Sequence, residues 1–283
     1  KTPHKPPGGT RATHPTQFQT ITGGSALVPG TTQHNYPAPP AILSCVYEGS
    51  LLPIDRGLKI ESEYFTSLLR SPVARNMIRT LFVEKGKADK LARRPERVPA
   101  SKVQKLGILG AGMMGAGIAY VSARAGIDVV LLDTDIESAK KGKDYSRGLL
   151  EKQISRGRST QEKAEALLAK IEPTTDYADL EGCDLVIEAV FENRKIKADV
   201  TAKAEAVIPE TAIFASNTST LPITGLAEAS SRPASFIGIH FFSPVDKMPL
   251  VAIIVGKETS DEAHARSLDN VGQIPKTPNV VKD

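Results

Sequence analysis

Between Val103 and Asp133 the chain spells out strand, glycine loop, helix, second strand and terminal acid, an order that few folds accept. The run Val103–Leu109 predicts a strand, and Ala116–Ala125 predicts a helix. Between them stands Gly110-Ala111-Gly112-Met113-Met114-Gly115, a G-x-G-x-x-G loop. A second strand, Ile127–Leu132, ends in Asp133. Each glycine has its own physical role. Gly110 permits the tight turn, Gly112 lets the backbone approach a diphosphate, and Gly115 lets the helix pack closely on the strand. Met113 and Met114 lie in this loop at cofactor-binding positions, ahead of the helix, whose free N–H groups favour phosphate. Asp133 can accept hydrogen bonds from a ribose diol and repels a 2′-phosphate, and no basic residue follows it directly (Thr134, Asp135). NAD is therefore the expected cofactor, rather than NADP.

Bulk properties exclude more than they assign. At 283 residues, with 40% hydrophobic and 24% charged residues, the chain can bury a substantial core. Its net charge of +4 is mild. Eight basic residues lie between Lys85 and Lys105, but Glu84, Asp89 and Glu96 stand beside or among them and no aromatics interleave, so a solvated linker is expected and not a nucleic-acid surface. Cys45 and Cys183 are far apart and belong to no C-x-x-C pair, which argues against a disulfide framework or a metal site and fits a reducing compartment. No apolar run is long enough to span a membrane.

Three regions are expected. Residues 1–56, with Pro6-Pro7-Gly8-Gly9, Pro29-Gly30 and Pro37-Ala38-Pro39-Pro40, read as an extended Pro/Gly-rich segment. Residues 57–101 read as a helical connector whose apolar stripe (Leu58, Phe65, Leu68, Leu69, Met77, Ile78, Leu81, Phe82) is a docking face broken at Ser71-Pro72, followed by a charged tether from Lys85 to Ala100. Residues 102–283 alternate strands with helices, which implies an α/β, Rossmann-type, doubly wound and mostly parallel sheet. Its helices are expected at Glu137–Arg156, from a Ser159-Thr160-Gln161-Glu162 capping box to about Lys170, and at Arg194–Val207. Strands are expected at Asp184–Glu188, Ala212–Ala215, Phe236–His240 and Leu250–Val255, the last two completing the sheet.

In such sheets ligands lie beyond the carboxyl ends of the strands. Three segments follow strand ends: Ala189–Lys197, Ser216–Pro222 and His240–Pro244. Each has an ordinary explanation, since Thr218, Ser219 or Thr220 can cap the helix near Pro222, Glu192 and Lys197 can be a solvated helix start, and a histidine ending an apolar strand is usually a structural hydrogen-bonder. Their shared position at the cofactor edge raises the functional reading of each.

Taken together the segments resemble the NAD-binding domain of the L-3-hydroxyacyl-CoA dehydrogenase family, found in multifunctional enzymes of fatty-acid β-oxidation. Ser216-Asn217-Thr218-Ser219 is followed 21 residues later by His240-Phe241-Phe242-x-Pro244-Val245, and Asp246-Lys247-Met248-Pro249-Leu250 extends the match. Pro7-Gly8-Gly9, Asn35–Pro39 and Gly57–Phe65 resemble the connector between hydratase and dehydrogenase in those proteins. The resemblance implies NAD-dependent oxidation of a (3S)-3-hydroxyacyl-CoA to the 3-oxoacyl-CoA. It makes His240 the catalytic base and Ser219 a contact to substrate and cofactor. Met114, Asp133, Val190, Phe191, Glu192 and Lys197 become cofactor contacts, and Ser243 a substrate contact where most relatives carry asparagine. It further implies a thiolase subunit and a homo-oligomer as partners of a full-length protein. A cytoplasmic location is expected.

The sequence departs from that pattern in two ways. The family pairs its histidine with a glutamate twelve residues on, and Ala252 stands there. If the strands holding His240 and Leu250 are neighbours, that side chain lies beside the imidazole. The chain also ends at Asp283, where the family continues into an all-helical domain, and Gly272, Pro275 and Asn279 interrupt the last helix–strand pattern. Two further readings stay open: a non-catalytic NAD- and acyl-CoA-binding module, and a β-hydroxyacid-type dehydrogenase, against which the Ser219–His240 spacing argues.

Overall fold

The structure, a computed structural model, describes residues 15–283; the Pro6-Pro7-Gly8-Gly9 run and the Pro7-Gly8-Gly9 match lie outside the described residues. Eight strands form one sheet: β1 (Lys105–Leu109), β2 (Asp128–Leu132), β3 (Ile171–Thr174), β4 (Leu185–Glu188), β5 (Ile213–Ser216), β6 (Phe236–Phe241), β7 (Leu250–Val255) and β8 (Thr277–Lys282). Their order is β3-β2-β1-β4-β5-β6-β7-β8. The first six run parallel, β7 turns antiparallel to β6, and β8 runs parallel to β7. The inner strands are buried along almost their whole length because helices cover both faces. Helices α6 (Met113–Arg124), α7 (Ile136–Ser155), α8 (Gln161–Leu168) and α11 (Asp261–Gln273) share one core with Leu106, Ile108 and Leu131. On the other face α9 (Arg194–Glu205) and α10 (Ile223–Ala227) pack with Leu109, Val186 and Phe214. Each fully buried Leu, Ile or Phe of this kind contributes about 1.5–3 kcal/mol. The doubly wound, mostly parallel sheet is thus the one expected.

Its edges differ from expectation. The sheet does not end at Leu250–Val255: β8 adds an outer strand there, and β3 closes the opposite side. Both edge strands carry a proline, Pro173 and Pro278. A proline removes a ladder donor, so a sheet tolerates it at an edge, and the same residue hides the strand from a reading by periodicity. Pro275 does end α11, at Gln273. The start of α8 is also shifted by one: Thr160, not Ser159, is the cap, its Oγ1 accepting from Lys163 N at 3.3 Å.

The chain divides into two compact units, with the boundary between Gly86 and Lys87 inside the short helix α5 (Lys85–Asp89). The first unit corrects the extended reading of residues 1–56 wherever it is described. It is helical as α1 (Pro15–Thr32) and α2 (Ala38–Ser50), followed by α3 (Ile54–Leu69), α4 (Pro72–Ile78) and a wider turn at Arg79–Glu84. Pro39 and Pro40 occupy the first turn of α2, where no N–H is needed and a fixed φ assists the helix. Ser71 caps α4 by accepting from Ala74 N, with Pro72 as its first residue, so the expected break falls there. Tyr64 ties α3 to α2 by donating to Glu48 at 2.6 Å. Phe65 and Phe82 of the apolar stripe remain exposed.

Residues 87–101 belong to the second unit and are not a free tether. Arg94 grips Asp269 of α11 through two hydrogen bonds, of 2.6 and 2.9 Å, and donates to Val98 O; Ser101 donates to the same carboxylate. A planar guanidinium with its carboxylate fixed in this way explains why the boundary lies upstream of residue 101.

Candidate active site

The turn after β1 sits where the chain order reverses, with β2 on one side of β1 and β4 on the other. Gly110 adopts φ +96°, and a Cβ there would lie 2.8 Å from Ala189 O. Gly115 faces the turn so closely that its Cβ would fall 1.8 Å from Gly110 O. Around Gly112 the space is open: a Cβ there would meet nothing within 4 Å. Gly112 is also the N-cap of α6 and supplies no side chain to the first N–H groups, which leaves them for a ligand. Met113 is exposed beside it, while Met114 packs partly into the core. Asp133, at the end of β2, accepts from Ala111 N at 2.7 Å and Thr134 N at 2.7 Å, so its carboxylate borders the glycine loop. An open cradle, uncapped helix amides and an adjoining carboxylate fit an adenine dinucleotide.

Beyond β4 and β5 lies a network that periodicity does not reveal. Glu188 ends β4 at 1% exposure, and Lys197 of α9 donates to both of its oxygens at 2.8 and 2.9 Å. Ser216, opposite Glu188 in the β4–β5 register, donates to it as well. Lys197 also meets Glu192 at 3.2 Å. Glu192 accepts from Thr218 Oγ1 (2.5 Å), Ser219 N (2.9 Å) and Thr220 N (3.0 Å). Burial pushes the Glu192 carboxyl up, but those donors and Lys197 outweigh it and bring it down to about 2. It therefore stays ionised at neutral pH and holds the Ser219 backbone in place.

Lys197 thus stands one side chain behind the surface and reaches the crest through Glu192. Val190 N donates to Glu188 at 3.2 Å, and Phe191 projects at 83% exposure. Glu188 escapes a reading of the sequence, although a lone acid closing the apolar run Leu185–Ile187, with a lysine nine residues on, is the available signal.

Lys197→Met should cost about 3–5 kcal/mol, because it strands a buried carboxylate, and should lower the melting temperature by roughly 10 °C. Burial, opposed by Lys197, already raises the Glu188 carboxyl above its ordinary 4.5. The folded variant then binds the proton more tightly than the unfolded chain, so its stability falls as pH rises above that value. Thermal melts across pH measure both effects; a variant as stable as the parent would show that the network does not support the fold.

His240 lies on β6 in register with Ala252 of antiparallel β7. Opposed residues in such a pair have Cα atoms about 4.5–5.5 Å apart and side chains on one face. The imidazole is half-buried and meets the Phe242 ring edge-on at 4.7 Å. Its Nδ1 is buried and has no hydrogen-bond partner among the described residues. Burial lowers its pKa from 6.5, while the backbone of Asn217 and Thr218 and the charge of Glu192 act in the opposite direction. Asn217 positions the strand end by accepting from Phe241 N at 2.8 Å. Asp246 accepts from Tyr145, and Glu192, not Asp246, is the acidic charge that acts on the imidazole. Ser219 is exposed next to Glu192, and exposed Ser243 has its Oγ 3.6 Å from Met113 Sδ. Glycine cradle, Glu192–Ser219 loop and His240 thus share the crest of one sheet.

That arrangement defines an NAD-binding domain of the dehydrogenase class, with a histidine set on the strand next to the cofactor half-sites. The chain belongs to the 3-hydroxyacyl-CoA dehydrogenase family: the family described as "3-hydroxyacyl-CoA dehydrogenase, NAD binding domain" matches residues 105–283. It is 40% identical over 266 residues to the fatty acid oxidation complex subunit alpha of Acinetobacter baylyi, covering 94% of this chain but 36% of that protein. Among solved structures it is similar to (S)-3-hydroxybutyryl-CoA dehydrogenase from Ralstonia eutropha (39% identity, 64% of each chain, TM-score 0.63). It is also similar to the dehydrogenase part of multifunctional enzyme 1 from C. elegans (28% identity, 71% of this chain and 48% of that one, TM-score 0.61). No described helix is long and apolar enough to cross a membrane.

Proposed function

We propose that this chain is the NAD-binding part of a (3S)-3-hydroxyacyl-CoA dehydrogenase of fatty-acid oxidation, in a form with weakened catalysis. The carrying observation is His240, a neutral base at the cofactor edge whose buried Nδ1 has no partner among the described residues. Bound NAD⁺ supplies the acceptor for the hydride that leaves C3 of the substrate. His240 takes the proton of the 3-hydroxyl through its other nitrogen, so the alcohol loses one hydride and one proton and becomes a ketone. Ser219, held by Glu192, contacts substrate and cofactor. Ser243 offers a hydroxyl where relatives offer an amide. Asp133 receives the adenosine ribose.

For Nε2 to act as base, Nδ1 must carry the proton, and among the described residues nothing accepts from it. Neither the working tautomer nor the imidazolium that follows is stabilised by a carboxylate at position 252. Ala252 equally supports a second reading, a non-catalytic module that binds NAD and acyl-CoA. The relative from Acinetobacter is named as a subunit of a complex. That name supports assembly with a second subunit, of thiolase type by the family resemblance.

Two measurements test the proposal. NADH titrated into the chain should show saturable fluorescence enhancement, and acetoacetyl-CoA should then be reduced slowly. A folded sample that fails to bind NADH overturns the cofactor assignment, and full-speed turnover overturns the impairment.

A further inference from the structure

Downstream of His240, residues 242–249 form a loop that carries Ser243, and three separate elements hold it. The first is α6. Val245 is 2% exposed, and a Cβ on Gly117 would lie 2.7 Å from Val245 Cβ, so the loop seats on the cofactor helix because that position has no side chain. The second is α7, from which Tyr145 donates to Asp246 at 3.1 Å. The third is Lys276, in the turn between α11 and β8. Its Nζ donates to Val245 O at 2.7 Å and to Met248 O at 2.6 Å. Both carbonyls belong to one tight turn, in which Lys247 N and Met248 N donate to Pro244 O.

We propose that Lys276 is a positioning residue for the substrate side of the site. Its ammonium clasps the 242–249 loop from below, and so holds Ser243 against Met113 and sets the span between His240 and the cofactor helix. This role rests on the substrate reading proposed for the site and adds a residue to it. The local chain suits the clasp. Pro275 ends α11, Lys276 N returns to Val271 O, and Thr277 N donates to Pro249 O, so the lysine stem enters directly beneath the loop. A charged donor on two neutral carbonyls in a half-buried setting makes stronger bonds than a neutral donor would. Asp246 and Arg124 are the charged groups that act on this ammonium, with opposite signs. The loop is in turn the link between β6 and β7, which places the clasp one step from His240 itself.

Lys276→Met keeps the aliphatic stem and deletes the donors. Hydrogen exchange of the 242–249 amides should then quicken by roughly tenfold or more, with the β1–α6 amides unaltered. Acetoacetyl-CoA affinity should fall by about tenfold while NADH affinity stays within roughly twofold, and Lys276→Arg should restore both. If the Met variant does not fold, Lys276→Gln is measured in its place, with a smaller change of the same pattern expected. Unaltered exchange in the loop, or exchange raised evenly through the whole sheet, overturns the clasp. So does acetoacetyl-CoA binding that survives the loss of both donors. A parent chain that does not bind acetoacetyl-CoA sinks the substrate reading instead, and the exchange measurement alone then decides whether Lys276 holds the loop.

Discussion

Ala252→Glu is expected to raise acetoacetyl-CoA-dependent NADH oxidation by about 10²- to 10⁴-fold, by analogy with the loss seen when the acid of other acid–histidine pairs is removed. The register decides the geometry: His240 and Ala252 face each other across β6 and β7, so a glutamate at 252 would share a sheet face with the imidazole, whose buried Nδ1 has no partner among the described residues. Two effects then act together. The carboxylate accepts from Nδ1 and fixes the tautomer that leaves Nε2 free to take the substrate proton. It also favours the imidazolium that forms during the step. The sign on pH follows. Burial now holds the His240 pKa below 6.5, and an adjacent carboxylate raises it; in the reductive direction assayed, where the imidazolium donates the proton, the alkaline limb of the kcat/KM profile should therefore move to higher pH. NADH affinity should hardly change, because the substitution lies away from the glycine cradle. The measurement is made on this chain and on the chain joined to the helical domain that follows in relatives. An increase in neither would place the fault elsewhere and favour the non-catalytic module.

Gly112→Val should weaken NADH by about 10²-fold or more, roughly 3 kcal/mol, while leaving the melting temperature within a few degrees of the parent. The two readouts separate because of where the side chain goes. Gly112 has ordinary negative φ and open space around it, so the Cβ of a valine meets no protein atom within 4 Å. Its methyl groups would instead occupy the volume in front of the α6 amides, which the proposed reading gives to the diphosphate. Gly115 makes the contrast. A Cβ there lands on the Gly110 carbonyl, so Gly115→Ala should damage fold and binding together. Undiminished NADH affinity in a folded Gly112→Val protein would show that the dinucleotide does not cross this turn.

The cofactor half of the site is legible in the sequence because its requirements are local. A turn with φ +96° calls for glycine at Gly110, and a strand that ends at the crest leaves its next residue, Asp133, beside the phosphate loop. His240 and Ser219 are legible through resemblance and through strand ends. Residues 15–50 look extended in the sequence but are largely helical: Pro39 and Pro40 occupy a first turn, where proline is tolerated, and α1 carries Pro29 inside it, so proline content is a poor guide here. The edge strands β3 and β8 are hidden since Pro173 and Pro278 break the period while an edge tolerates them. Glu188, Lys197 and Glu192 become a network only when β4 and β5 are paired, with Ser216 in register beside Glu188.

By itself, then, the sequence determined the strand–loop–helix unit, the preference for NAD, and the absence of an acid twelve residues past His240. Each is a property of a short contiguous run, set by backbone dihedrals, helix termini and side-chain chemistry. Only the tertiary structure decided that Ala252 faces His240, that Lys197 stands behind Glu192, and that Lys276 reaches the loop bearing Ser243. Those pairings join residues that are distant in the chain, and they depend on sheet register and helix packing, which no local pattern encodes.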